Sequence, residues 1–408
     1  MPPNEQHITN QITSTLLNKS VASDHPEAGP ALLFFSGGTA LKNFTRVLTR
    51  YTHNSIHILS PFDSGGSSAV LRNTFGMPAV GDVRSRLMAL ADQSLKGSTE
   101  AYALANYRFE NGRSEAQHLK LLEDLIAGTH LLIRSVPSPL RETIIRQLDR
   151  FKLAMPSHFD LNGASIGNLI LAGNFLGETL QLNKTISQFA ELLGVQGEVQ
   201  SSCDMPYHLA VELENGEVLI GQHRFTGKQT KSITSAIQNI WLTKSINDAQ
   251  PVDAEACSVT KDKIASAELI CYPPGSFYSS LIANLLPSGV GQAIARSSRP
   301  KVYIPNLGRD PEQYGLDLEK QVEVLLRYLK KDASATKAST HLRKENNSMY
   351  LDYILVDNKT AATLNTATIK QWAVTGIELI NAPLVCETNP ERYDDEKLCK
   401  ALLSLAKV

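Results

Sequence analysis

From residue 31 onward the chain alternates short apolar runs with stretches of helical periodicity. Ala31 to Phe35 (ALLFF) is a continuous apolar run of the kind that forms a strand buried on both faces. It runs into Ser36-Gly37-Gly38-Thr39, after which Leu41, Phe44, Val47, Leu48 and Tyr51 fall on one helical face. SIHILSPF, Ser55 to Phe62, reads as a second strand and also ends in a glycine and serine loop. Strand, loop, helix and strand in that order make a βαβ unit, which predicts a parallel sheet.

Helical spacing dominates roughly residues 83–200, in VRSRLMALAD, SEAQHLKLLEDLIAG and SIGNLILAGNFL. Near Gly194 the character changes. HLAVELENGEVLIGQHRF alternates apolar and polar positions around Asn215-Gly216, a strong hairpin signal. This predicts a small β-rich insert near 197–260. Parallel-strand signals resume at AELICYPPG, KVYIPNLG, DYILVDN and GIELINAPLV, with the helical LEKQVEVLLRYLKK between them. DASATKASTHLRKENNS reads as a polar surface excursion, and residues 1–30 as a polar N-terminal arm. The expected architecture is α/β: a Rossmann-like three-layer fold with a mainly parallel sheet, in one domain over 31–408.

Composition narrows the function. The 408 residues carry 40 Lys and Arg against 41 Asp and Glu, so no global field recruits nucleic acid or an anionic membrane. Phosphate binding, if present, must be local. The five cysteines are widely spaced with no CxxC pair, which argues against a zinc ribbon or a disulfide framework and fits a reducing compartment. The N-terminus lacks a signal-peptide pattern and no apolar run reaches transmembrane length, so a cytoplasmic location is expected.

Four loops follow strands or open helices, where ligands bind in open α/β sheets. In Ser36-Gly37-Gly38-Thr39, glycines let a phosphate approach the backbone and the hydroxyls add donors. Asp63-Ser64-Gly65-Gly66-Ser67-Ser68 places a carboxylate beside two glycines and three hydroxyls. Asp63 has the chemistry to hold a divalent metal such as Mg2+, to take a proton from a substrate hydroxyl, or to bond a sugar hydroxyl; an ordinary helix cap explains it equally well. Farther on, Asp82 is placed to cap a helix beginning at Val83, with Arg84 near the site and able to pair with phosphate, or equally a structural group, and Arg86 in a structural pair. In the fourth loop, Gly275 and Ser276 offer a second phosphate seat, and Tyr278 a ring for a base or a hydroxyl for a sugar; an aromatic simply packed in the core explains Tyr278 equally well. His53, His57, His208 and His223 read as structural or surface groups. No HExxH motif is present, and the GxGxxG fingerprint of nicotinamide enzymes is missing, so no tightly bound redox cofactor is expected.

Taken together over roughly 31–400, these segments resemble the CofD-like family. The carriers are FSGGTALKNF, DSGGSSAVLR, GMPAVGDVRSRLMALAD, SIGNLILAG, YPPGSFYSSLIANLLPSGVGQAI and KVYIPNL. The family includes 2-phospho-L-lactate transferases of deazaflavin cofactor biosynthesis and YvcK-type nucleotide-sugar-binding proteins. Length and arm look most like its GAK-system branch. The resemblance implies a nucleotide-diphosphate-type ligand. It implies further either metal-dependent transfer of a phospho-hydroxyacyl group to a deazaflavin hydroxyl, or regulation of a partner protein without turnover. A homodimer is expected by analogy alone. Carried over by position, Gly37, Gly38 and Thr39 line the phosphate loop, Asp63 is the first of a paired Asp-Asp, and Asn168 is the asparagine of the IGNL segment. Gly275, Ser276 and Tyr278 match a GPGSxY loop whose tyrosine contacts the nucleotide sugar, and Asn306 ends a later strand. Three departures stand out: Ser64 replaces the second acid, Ala40 replaces a glycine, and LGRDPEQYG follows Asn306, where Arg309 is positioned to restore a positive charge.

Overall fold

The computed structural model describes residues 10–11, 25–95, 97–177, 180–227, 230–334 and 347–407. Most of the expected polar arm, and most of the polar excursion after Asp332, lie outside the described residues. The main sheet has eight strands: β1 (Asn10–Gln11), β2 (Leu32–Ser36), β3 (Ile56–Leu59), β4 (Glu198–Ser201), β9 (Leu269–Tyr272), β10 (Lys301–Tyr303), β11 (Tyr353–Asp357) and β12 (Glu378–Ala382). Their order is β1-β12-β11-β10-β9-β2-β3-β4, and every pairing is parallel. β1 was not expected inside the polar arm. Edge pairing uses only backbone groups, so it leaves no apolar signal in the sequence.

The strands alternate cleanly between two cores. Leu33, Phe35, Ile270, Tyr272, Tyr303, Ile354 and Val356 face one side. Leu32, Phe34, Leu269, Cys271, Val302, Ile304 and Leu355 face the other. Burial on both faces removes the polar alternation of a half-exposed strand, which is why these segments read as unbroken apolar runs. Helices Lys42–Leu48 and Asp395–Leu405 cover the second face. Helices Ser258–Ser266, Val290–Arg296 and Leu318–Ser334 cover the first, giving the three layers of a Rossmann-like α/β fold.

Two additions build on this frame. Between β3 and β4 the chain forms a helical cap with its own core. After β4, an antiparallel sheet of β5 (His208–Leu213), β6 (Val218–Ile220), β7 (Ile237–Ser245) and β8 (Asp248–Pro251) runs in the order β6-β5-β7-β8. Asn215-Gly216 turns the β5–β6 hairpin, with Gly216 at φ 85°. The insert therefore begins past Ser201, because 198–201 completes the main sheet. It packs Leu209, Val211, Ile240 and Leu242 onto the first face.

Topology fixes where a ligand can sit. From β2 the chain moves outward to β3 and β4, then returns to place β9 on the other side of β2 and proceeds to β10, β11 and β12. The strand order reverses between β2 and β9. The loops leaving those two strands splay apart there and open a crevice at their carboxyl ends.

One close contact sets the position of the cap. Helix Ile166–Gly177 crosses helix Leu140–Ala154 at Gly173, where a Cβ would stand 1.9 Å from the Gln147 carbonyl oxygen. Backbone cannot yield as a side-chain tip can. Gly173→Ala should therefore destabilise the protein by about 2–3 kcal/mol, as overpacking does. Urea unfolding checks this, and a change below about 0.5 kcal/mol would mean the helices separate freely.

Candidate functional site

The crevice contains two adjoining cavities, of about 390 and 340 Å3. Thr39, Ala40 and Ser276 line both, so they form one cleft along the β2 and β9 loops. The first cavity collects Gly37, Gly38, Asp63, Gly65, Gly66, Asp82, Arg84 and Asn168. The second collects Gly275, Asn306 and Arg309.

The turn after β2 is held from beneath by Arg86, which is fully buried. Its Nη2 donates to the Gly37 carbonyl at 2.7 Å and to Ser36 Oγ at 3.4 Å. Its Nη1 donates to the Leu41 carbonyl at 3.2 Å and to Thr45 Oγ1. Burial lowers the guanidinium to about 10, against an opposing pull from Asp82, so it stays charged at neutral pH. Ser36 is thereby placed below the loop, not on the cavity wall: its hydroxyl serves Arg86. Among the described residues the hydrogen-bond acceptors of Arg86 are backbone and hydroxyl oxygens, with the Asp82 carboxylate acting on it only through its charge. The two glycines are required by packing. A Cβ on Gly38 would lie 2.7 Å from the Asp82 Cα, and one on Gly37 would lie 2.5 Å from Ser280 Oγ.

Helix Gly81–Leu90 begins earlier than the sequence predicts, with Val80 at its N-cap and no side-chain cap. Asp82 therefore sits inside the first turn against Gly38, and does not cap the helix. Arg84 is buried and lines the cavity. Burial lowers it to about 10, with Arg108 adding like-charge pressure. Arg108 lines the same cavity while donating to the Gly163 carbonyl at 2.9 Å. Among the described residues neither arginine has a carboxylate within ion-pair distance. Two positive side chains thus line one cavity without a direct ion pair among the described residues, an arrangement suited to an anion, and the Asp63 and Asp82 carboxylates lie on the same wall.

Across the cavity, Asp63 Oδ1 accepts from the Gly65 N–H at 3.0 Å, ordering the loop before helix Gly66–Phe75. The side chain of Ser67 lies outside the described residues, while Ser68 lines the cavity. Arg72, lowered to about 10 by burial, donates to the Asp63 carbonyl at 2.9 Å and to the Pro206 and Tyr207 carbonyls at 2.9 and 2.6 Å. It therefore welds the Asp63 loop to the base of the insert.

Ser64 stands where the family resemblance places a second acid. Its Oγ is 2.9 Å from His223 Nδ1 and accepts from the His223 backbone N–H at 3.3 Å. Among the described residues no three His, Cys, Asp or Glu side chains are grouped to hold a metal ion. With Ser64 committed to His223, Asp63-Ser64 does not fit the adjacent two-acid metal site that the resemblance implies.

The fourth loop departs from expectation. Tyr278 is fully buried and its hydroxyl donates to the Ile237 carbonyl at 3.0 Å, so it braces the insert and lines neither cavity. The turn Phe277–Ile282 is a π-helix, and its amides are already occupied. Phe277 N–H donates to Asp310 Oδ2 at 2.8 Å; Tyr278 and Ser279 N–H donate to Glu312 Oε2 at 2.9 and 2.7 Å. Asn306 exchanges two hydrogen bonds with Gly275, at 2.8 and 2.7 Å. Gly275 and Ser276 are thus shaped by the protein's own groups, which disfavours a second phosphate on this turn. Arg309 is exposed at the second cavity.

Arg108, Gln222, His223 and Thr226 also line the first cavity and were not singled out from the sequence as site residues. They arrive from the cap and the insert, far from any glycine loop, so no local motif marked them. His223 in particular was read as structural or surface. His57 is fully buried, stacked on Phe34 with ring centroids 5.3 Å apart.

An open parallel α/β sheet with its cleft at the topological switch point defines the class of protein. Comparison with known proteins narrows it. The profile of the family described as 2-phospho-L-lactate transferase CofD matches residues 32–383, and the chain belongs to that family. A gluconeogenesis factor of Bacillus subtilis is 26% identical over 396 residues, spanning 93% of this chain and 98% of that protein. A gluconeogenesis factor of Halalkalibacterium halodurans is 28% identical over 276 residues, spanning 68% of this chain and 66% of that protein. A crystal structure of a UPF0052-family protein from Bacillus halodurans shares the fold, with a TM-score of 0.64 at 23% identity over 92% of this chain and 99% of that one. Among the described residues no helix is long and apolar enough to cross a membrane.

The weld at Arg72 has a pH signature. His208 Nδ1 lies 3.5 Å from Arg72 Nη2, and burial, then Arg72, lower its pKa from 6.5 to about 4. Buried His57 is lowered in the same direction. A histidine depressed in the folded state stabilises it fully above the unfolded pKa, and that contribution is lost as pH falls. Stability should therefore drop between pH 6.5 and 4, and His208→Gln should flatten the drop. Urea midpoints at pH 7, 6 and 5 check this; parallel curves for both proteins would contradict it.

Proposed function

We propose that this protein binds a nucleotide-diphosphate-linked ligand, with the diphosphate in the first cavity and the remainder along the second, and that it acts as a ligand-responsive regulator of a partner protein. One observation carries the reading. The Gly37–Thr39 turn, the N-terminal ends of helices Gly66–Phe75 and Gly81–Leu90, and the side chains of Arg84 and Arg108 all meet in one cavity. The first N–H groups of a helix have no intrahelical partner and carry the positive end of its dipole, so each end attracts phosphate. The volumes of both cavities fall in the range of small-molecule sites.

The regulatory role is favoured by the Ser64–His223 contact, because Ser64 supplies no second carboxylate next to Asp63 for a metal-assisted transfer. The gluconeogenesis-factor names of the relatives point the same way. A second reading rests on Asp63, whose carboxylate is on the cavity wall with only Oδ1 committed to Gly65. There Asp63 would take the proton from an acceptor hydroxyl, such as a deazaflavin alcohol, as its oxygen bonds the phosphorus of the phospho-hydroxyacyl group, the P–O–P bridge breaks and the nucleoside monophosphate leaves. A homodimer and a cytoplasmic location complete the proposal by analogy.

Ligand binding stabilises the native state by mass action. UDP-glucose in the presence of EDTA should therefore raise the melting temperature with concentration. Arg84→Ala should weaken binding about tenfold or more, the scale of a lost charge-assisted hydrogen bond. No shift with UDP-glucose, UDP or GDP, with or without Mg2+, would overturn ligand binding. Product formed from a GDP-linked donor and a deazaflavin alcohol, and abolished in Asp63→Asn, would replace the regulatory reading with the transferase.

A further inference from the structure

The β-rich insert contributes more than a wall to the first cavity. Its 3-10 turn Gln222–Arg224 reaches across to the loop after β3. There Ser64 Oγ takes the His223 backbone N–H at 3.3 Å and meets the ring at Nδ1, 2.9 Å away. Thr230 Oγ1 donates to the His223 carbonyl at 3.0 Å, which fixes the turn from behind. The imidazole is thus held at both its backbone and its ring. With Nδ1 engaged, Nε2 has no hydrogen-bond partner among the described residues.

Ser64 precedes Gly65 and Gly66, the N-cap and first residue of helix Gly66–Phe75. The pin therefore sets the ring beside the helix end where an anion is drawn, in the cavity that Arg84 and Arg108 also line. A ring nitrogen so fixed loses little freedom when it meets a ligand, which is the advantage of preorganisation.

We propose that His223 is a ligand-contacting residue, with Nε2 bonding a phosphate oxygen of the bound diphosphate, and that Ser64 is the positioning residue that aims it. The insert then takes part directly in recognising the ligand. This inference rests on the diphosphate-binding reading above.

Substitutions at the two ring nitrogens separate contact from support. His223→Asn keeps a polar atom near the Nδ1 position for Ser64 but places nothing at Nε2. It should melt like the parent without ligand, yet bind UDP and UDP-glucose about tenfold or more weakly in calorimetric titration with EDTA. His223→Ala should show at least the same loss. Ser64→Ala should weaken binding about threefold or more, Ser64→Thr should restore it, and Ser64→Ala should add nothing in a His223→Ala background. Arg224→Ala, exposed on the same turn, should bind like the parent.

Binding by His223→Asn and His223→Ala within twofold of the parent would overturn the contact while leaving the diphosphate reading intact. A loss confined to UDP-glucose, with UDP unaffected, would overturn the phosphate assignment. Failure of the parent to bind either probe would overturn both the reading and the inference.

Discussion

A guanidinium withdrawn from water is costly unless its donors find protein acceptors, and Arg86 turns both terminal nitrogens onto the turn after β2 and the helix that follows it. Its bonds to the Gly37 and Leu41 carbonyls, to Ser36 Oγ and to Thr45 draw the strand end and the following helix onto helix Gly81–Leu90. Gly38 lies against the backbone of Asp82 as a result, too close for any side chain at that position. The glycine pair answers first to this internal contact. The exposed backbone of the turn, left facing the cavity, is its consequence. Without the buried charge, the loop would lack the support that sets it opposite Arg84 and Arg108.

The two sides of the cleft are treated in opposite ways. On the β2 and β3 side, Arg84 and Arg108 have no carboxylate ion pair among the described residues, and Asp63 takes only the Gly65 N–H at the start of helix Gly66–Phe75. On the β9 side, Asp310 and Glu312 fill the amides of the π-helical turn, and Glu312 is almost wholly buried. A buried carboxylate is costly unless its oxygens are bonded. Glu312 meets that condition with two N–H donors and the Ser279 hydroxyl, at 2.9, 2.7 and 2.5 Å. The amides of the β9 turn are thereby closed to an anion, while the second cavity mixes charged groups, Arg309 and Arg392 among them, with apolar ones such as Leu41, Phe44 and Leu398.

The central strands were legible because burial on both faces leaves only apolar residues, and the first two loops because strand-to-glycine transitions are local. Asp63 reaches the cavity on that same logic, Arg84 on its place at a helix start, and Asn168 on the resemblance of its IGNL segment. Tyr278 shows where local reading stops: its loop was recognisable, but the direction of its side chain depends on the insert at Ile237, 41 positions away. His223 shows the converse. Nothing in QHRF marks a site residue until the fold brings it to Ser64, 159 positions earlier. Asn10–Gln11 escaped because an edge strand pairs through backbone alone. What was missed in each case is a long-range contact with no periodicity or spacing to announce it.

A crystal structure of the protein grown with UDP-glucose tests the central claim most directly. The account places the diphosphate over the Gly37–Thr39 turn, between the first turns of helices Gly66–Phe75 and Gly81–Leu90 and within reach of Arg84 and Arg108. Phosphate density at the β9 turn, over the amides of Phe277 to Ser279 with Glu312 displaced, would contradict it.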